Sequence, residues 1–277
     1  MSKIMVPIDF SENSILALET ALVIANKLES DLRMVYVIPK GSYAKGLEDH
    51  VGADDHPQDK LTRLLAQYRQ SYAVKGKFDF AILEGNIAQE LINKCKYDQT
   101  TLVVTGSHGV SGISENWIGG NAYKLICNAT CPVLVIRPGM KFNNRFQRIA
   151  IPIHIKKSSR QMLPTVAGVA KLFGSKAIVV GYQTSTMRYI FNKITMAISQ
   201  VEHYLKNVGV EVEMSTMLVG DDYLGKLLEV VSTQNADIMS VDVQNVGSFF
   251  ADRFRPHLTN VINNSPCPVL TIPVKPE

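Results

Sequence analysis

Residues 128–136, Asn128-Ala129-Thr130-Cys131-Pro132-Val133-Leu134-Val135-Ile136, return near the other end of the chain as Asn264-Ser265-Pro266-Cys267-Pro268-Val269-Leu270-Thr271-Ile272. Two further matches lie upstream in the same order. Lys3-Ile4-Met5-Val6-Pro7-Ile8-Asp9 has its counterpart in Arg148-Ile149-Ala150-Ile151-Pro152-Ile153-His154, and residues 25–30 (ANKLES) in residues 170–175 (AKLFGS). Preserved order identifies an internal duplication, which halves the fold problem before any element is assigned. The polar stretch from Pro138 to Arg145, with Gly139 and Asn143-Asn144, separates the copies. The expected domains are therefore residues 1–140 and 146–277.

Within the first copy, short apolar runs alternate with helical periodicities. Ile4 to Ile8 reads as a buried parallel strand. Ser11 can cap a helix carrying Ile15, Leu18, Leu22, Ala25 and Leu28, spaced for one face. Leu32 to Ile38 is a second strand, and the polar, glycine-bearing residues 40–57 form a loop. A second helix follows through Leu61, Leu64, Leu65, Tyr68 and Tyr72, then a third strand through Phe78, Phe80 and Ile82. A third helix, a fourth strand from Thr101 to Thr105, a fourth helix through Ala122 and Ala129, and a fifth strand from Val133 to Ile136 complete the copy. The second copy repeats the order, with strands at 148–153, 176–182, 210–217, 237–242 and 268–272, and helices near 158–173, 187–207 and 222–234. Alternation of this kind demands right-handed crossovers and a mainly parallel, doubly wound α/β sheet.

Composition narrows the function classes. Hydrophobic residues are 46% and charged residues 19% of the 277, enough for buried cores. No uninterrupted apolar run approaches the roughly 20 residues of a bilayer span, and the N-terminus runs directly into a strand rather than a signal sequence. No membrane association and a cytoplasmic location are expected. The first 139 residues carry 14 basic and 15 acidic side chains, leaving 15 and 10 for the remainder. That second balance lacks any dense basic run, so nucleic acid is not an expected partner. Cys95, Cys127, Cys131 and Cys267 form neither a disulfide framework nor a zinc pattern and are expected to be reduced and buried.

In an open parallel sheet, ligands bind beyond the carboxyl ends of the strands, where strand order reverses. Two segments of the first copy could meet there. One is Pro7-Ile8-Asp9. The other runs from Thr105-Gly106-Ser107-His108-Gly109 to Trp117-Ile118-Gly119-Gly120-Asn121. A helix that starts among glycines offers free N–H groups and its dipole to an anion. The same glycines could equally serve turns that need positive φ. Asp9 could accept a hydrogen bond from a ligand or close an Asx turn before Ser11. His108 lacks a carboxylate partner at readable spacing and is taken as a packing side chain, as is Trp117.

The spacing Gly106-x2-Gly109-x9-Gly119 resembles the G-x2-G-x9-G-(S/T) signature of ATP-binding universal stress proteins. The segments VPIDFSE (6–12) and CPVLVIRP (131–138) resemble the same family. The resemblance covers each half almost end to end and is clearer in the first. It implies two tandem, doubly wound α/β domains with mainly parallel five-stranded sheets of the adenine-nucleotide alpha hydrolase-like kind, paired through their last strands. It also implies an intramolecular pseudo-dimer, with a homodimer left open. The implied ligand is ATP or another adenine nucleotide, with or without Mg²⁺, in a stress-response regulatory protein. Carried over, Pro7 and Asp9 border the adenosine, and Val37 lines the adenine. Gly106 and Gly109 admit the backbone to ribose and phosphates. Gly119, Gly120 and Asn121 present N–H groups to the phosphates. Gly120 departs from the pattern, since the family has Ser or Thr there. No catalytic residue and no metal ligand set is expected; a slow ATPase and a nucleotide-independent interaction protein are the alternatives.

The second copy reads as having lost the site. At the offset of 136 set by the repeated Cys-Pro-Val-Leu, Gly106 becomes Asp242, Gly109 becomes Asn245, Gly119 becomes Arg255 and Gly120 becomes Pro256. At the offset of 145 set by the first strand, Asp9 becomes His154. A carboxylate repels phosphate, and proline removes an N–H donor. His154, Arg253, Arg255 and His257 are left either to line a small anion site or to serve structural and solvated roles.

Overall fold

Short apolar runs of the first copy form strands whose backbone groups pair with their neighbours in a parallel sheet. The computed structural model describes residues 2–40, 56–71, 75–108, 118–140, 146–154, 158–184, 187–244 and 251–275. The loop expected at 40–57 lies, apart from its ends, outside them. The first copy runs β1 (Lys3–Pro7), α1 (Glu12–Leu28), β2 (Asp31–Pro39), α2 (Pro57–Ser71), β3 (Phe78–Gly85), α3 (Ile87–Tyr97), β4 (Leu102–Gly106), α4 (Gly120–Asn128) and β5 (Val133–Ile136). Strand order is β3-β2-β1-β4, and the β3–β2, β2–β1 and β1–β4 pairs are parallel. The chain thus steps outward from β1 to β3 and returns to the other side of β1, which puts the reversal of order between β1 and β4.

The second copy runs β6 (Arg148–Ile153), α5 (Ser158–Gln161), α6 (Leu163–Phe173), β7 (Lys176–Gln183), α7 (Arg188–Asn207), β8 (Val212–Val219), α8 (Tyr223–Thr233), β9 (Ile238–Gln244), α9 (Ala251–Asn264) and β10 (Val269–Val274). Its order β10-β9-β6-β7-β8 is parallel throughout. Helices lie on both faces of this sheet. A Cβ on Gly181 would meet Ile194 and Ile198 of α7, whereas the next residue, Tyr182, stacks on Tyr223 of α8. The helix expected over 158–173 is two helices, because Pro164 occupies the first turn of α6 and cannot continue a preceding helix. Helix α9 had no counterpart in the periodicity reading; it carries Pro256 in its interior.

The duplication is visible in individual hydrogen bonds. Asp31 N–H donates to Ser2 C=O, and Lys176 N–H to Gln147 C=O. Val103 N–H donates to Pro132 C=O, and Met239 N–H to Pro268 C=O. Both α1 and α6 end on a left-handed residue, Glu29 at φ 51° and Gly174 at φ 68°, whose N–H caps Ala25 or Ala170. Contacts divide the chain into Met1–Val133 and Leu134–Glu277. The division falls inside β5, so residues 134–136 group with the second unit, in which β5 lies beside β10. The four cysteines are buried and unbridged, as expected.

At the opposite end of the first sheet from its strand tips, Arg33 of β2 holds Asp79 of β3 through Nε at 2.7 Å and Nη2 at 2.8 Å. Its Nη1 reaches Asp98 at 2.8 Å. Burial alone would raise the Asp79 carboxyl, but hydrogen bonds from Arg33 and Lys77 outweigh it and leave the group below its ordinary value. A carboxylate depressed in the folded state stabilises above its unfolded pKa and stops doing so as pH falls through the folded value. Asp79→Asn should therefore lower unfolding free energy by about 1 kcal/mol at pH 7, with the difference from the parent fading below a pH of about 3.9. Urea unfolding of both proteins across that range measures it.

Candidate functional site

The β1–β2 ladder is shorter than the β2–β3 ladder, and that difference opens a crevice. Cα pairing of β1 with β2 ends at Pro7 and Val35, and one more bond follows, from Ile8 N–H to Val35 C=O at 2.9 Å. Strand β2 continues beside β3 to Pro39 and Gly85. In a parallel strand, alternate residues direct N–H and C=O to opposite neighbours. Val35 faces β1, so Val37, two residues on, also directs its N–H and C=O to the β1 side, after β1 has turned away. Its side chain is buried.

The turn that takes β1 out of the sheet is built on Asp9. Oδ1 of Asp9 accepts from Ser11 N–H at 3.0 Å and from Ser11 Oγ at 2.6 Å, while Phe10 adopts φ 65°. Ser11 Oγ in turn accepts from Ser14 N–H at 3.3 Å and caps α1. Asp9 is thus the hinge of an Asx turn, placed beside Pro7 at the crevice.

Strand β4 ends on Gly106, Ser107 and His108. A Cβ on Gly106 would lie 2.8 Å from Asn13 Cβ and 3.1 Å from Asn13 C and O, so the glycine is needed where α1 crosses β4. The sequence reading gave Gly106 a role in ligand approach; helix–strand packing is a sufficient cause by itself. Asn13 Nδ2 donates to His108 C=O at 3.4 Å, and its buried Oδ1 has no hydrogen-bond partner among the described residues. Ser107 is fully buried, its Oγ 2.8 Å from His108 Nδ1. Asn13 and Ser107 were missed in the sequence, where each looks like an ordinary polar residue at an element's end. Gly109 and Trp117 lie outside the described residues.

The chain returns at Gly119, whose N–H donates to Ser107 C=O at 2.8 Å. This bond pins the start of α4 to the end of β4. Gly119, at φ −63° and ψ 145°, is the N-cap and supplies no side-chain hydrogen bond; the first turn of α4 holds no acidic residue. Gly119 N–H is therefore engaged within the protein. Gly120 and Asn121 are exposed, and among the described residues nothing lies within 4 Å of a Cβ placed on Gly120. Their N–H groups belong to the first helical turn, which has no intrahelical acceptors for them. Pro7, Asp9, Val37 and Gly106 gather at the ends of three adjacent strands, and Gly119–Asn121 stands over the end of β4.

In the second unit the register fixes the equivalences independently of any motif. Ile4 pairs with Leu102 as Ile149 pairs with Ile238, which sets Gly106 against Asp242. Pro7 pairs with Val35 as Pro152 pairs with Val180, which sets Val37 against Tyr182 and Asp9 against His154. His154 packs on the Tyr182 ring at 5.2 Å between centroids. Arg253, Arg255, Pro256 and His257 fall in α9, and Asn245 is outside the described residues.

Comparison with known proteins gives three kinds of match. Residues 1–137 match the model of the Universal stress protein family. The chain is 28% identical over 146 residues to universal stress protein YxiE of Bacillus subtilis, covering 49% of this chain and 99% of the relative. It is 27% identical over 145 residues to universal stress protein MJ0531 of Methanocaldococcus jannaschii, covering 50% and 84%. A universal stress protein structure from Archaeoglobus fulgidus superposes over 98% of this chain and 96% of its own with a TM-score of 0.77 at 19% identity, a likeness of fold.

The glycines of the site differ in what they tolerate. Gly106→Ala drives a methyl into α1 backbone and should cost about 1–3 kcal/mol, while Gly120→Ala meets open space and should cost nothing measurable. Thermal melts of the two variants separate a packing glycine from an open one.

Proposed function

The first half of the chain belongs to the universal stress protein family, and from that premise we propose that the protein is a stress-response regulator that binds an adenine nucleotide in its first half only. The observation that carries this reading is the Gly119–Ser107 bond. It holds the N-terminus of α4 at the end of β4, beside the point where β1 leaves the sheet. The adenine then lies at the ends of β1 and β2, where the Val37 peptide offers both a donor and an acceptor to the base edge. Pro7 and Asp9 flank the adenosine, and the phosphates extend along β4 toward α4. With Gly119 N–H already given to Ser107, the phosphate donors are the N–H groups of Gly120 and Asn121, assisted by the helix dipole. The first turn of α4 carries no carboxylate to oppose them. The hydroxyl that the family places after the third glycine is missing, which removes about 1 kcal/mol of phosphate binding and leaves the site intact. Mg²⁺ in this scheme arrives on the nucleotide. Occupancy changes the surface around Gly106 and Gly119–Asn121, and that change is the signal the module passes on.

Gly120→Pro tests the donor assignment with little cost to the fold. Proline suits the first helical position, and Gly119 already has the extended conformation that a residue before proline adopts. Calorimetric titration of the nucleotide-stripped chain should show one ATP site. The variant should bind ATP about tenfold more weakly, with adenosine affinity unchanged. Absence of binding at millimolar ATP would leave a nucleotide-independent interaction protein as the better reading.

A further inference from the structure

The second half keeps the frame of the site but not its contents. Three positions around the strand tips are equivalent by register, Asp9 and His154, Val37 and Tyr182, and Gly106 and Asp242, and a fourth pair is Ile87 and Tyr223. The last pair is fixed by the helix starts. Asn86 Oδ1 caps α3 by accepting from Gln89 N–H at 3.2 Å, and Asp222 Oδ1 caps α8 by accepting from Gly225 N–H at 3.2 Å. Ile87 and Tyr223 are the first residues after those caps.

These replacements converge on one another. The Tyr182 ring stacks on Tyr223 at 4.7 Å between centroids and 10° between planes, a face-to-face arrangement of two flat rings. His154 also packs on Tyr182, at 5.2 Å between centroids and 43° between planes. Burial raises the Tyr182 phenol above its ordinary value, and the nearby Asp242 carboxylate raises it further. Register places Asp242 of β9 on the far side of β6 from Tyr182 of β7, at the same end of the sheet. In the first half the matching positions hold a small aliphatic side chain at Val37 and no side chain at Gly106.

We propose that the second half is closed to adenine nucleotides by its own side chains: the Tyr182–Tyr223 stack, backed by His154, takes the place of the base, and Asp242 takes the place where the glycine loop leaves β4. Tyr182 and Tyr223 are thus the residues that decide how many nucleotides one chain holds. This rests on the proposed reading of the first half only for where the base lies. A flat ring between flat partners is what an adenine would be in such a crevice, so the intramolecular stack satisfies the same stacking and burial at no translational cost. An adenine would have to displace a packed tyrosine, and a phosphate would then meet Asp242.

The test is carried out on the full chain with adenosine as the probe, because a neutral ligand does not feel Asp242. Sites per chain are counted by equilibrium dialysis for the parent, Tyr182→Phe, Tyr182→Val and the double variant Tyr182→Ala/Tyr223→Ala. Tyr182→Phe keeps the ring and should match the parent. The double variant leaves an aromatic-sized void, and it should gain one adenosine site over the parent at millimolar concentration, with a higher melting midpoint when adenosine is present. The reading is of the difference, so it holds whether the parent binds one adenosine or none, and failure of the first-half site is seen separately in the parent's own count. Should the double variant not fold, Tyr182→Val installs the residue that the first half carries and is read in the same way. A folded variant with no added site overturns the proposal. So does photolabelling of the parent by 8-azidoadenosine within 148–154 or 176–183.

Discussion

One mismatch in length organises the first half: β1 stops pairing at Ile8 while β2 runs on beside β3 to Pro39. Had β1 continued, its backbone would have consumed the Val37 peptide groups and closed the sheet. The Asp9 carboxylate prevents this by fixing the turn into α1, and α1 then lies so close to β4 that only glycine fits at 106. The crevice, the approach of α1 and the anchoring of the loop after β4 all follow from that early exit. Asp9 therefore has a structural duty that stands whether or not a ligand is present.

Much of the fold was legible because it depends on local signals that a duplication prints twice. Apolar runs too short for helices gave the strands, and Ser11 gave the start of α1. The misses have physical causes. Pro164 is compatible with a kink inside one helix as well as with a helix start, so the periodicity over 158–173 predicts one element where the structure has α5 and α6. Residues 251–264 carry Phe254, Leu258, Val261 and Ile262 at helical spacing, but Pro256 falls inside that stripe and masks the helix that α9 forms there.

The site was legible as a set of positions and less so as a set of roles. Gly106 announced a constraint, but a single sequence does not separate approach by a ligand from approach by α1. Gly119 looked like a donor, and its N–H is used to close the loop on Ser107. Asn13 and Tyr223 were invisible, since each acquires its role from a partner far away in the chain. The offset of 145 already sets Val37 against Tyr182, and strand register confirms it; the stacking of Tyr182 on Tyr223 comes only from the fold.

The grouping of residues 134–136 with the second unit, where β5 lies beside β10, has a consequence for heredity. When two identical chains associate, every mutation appears in both members, and a change that ruins one site ruins the other. Two copies fused in a single gene escape that rule. One can hold its residues under selection while the other drifts, and Val37 and Tyr182 record such a divergence.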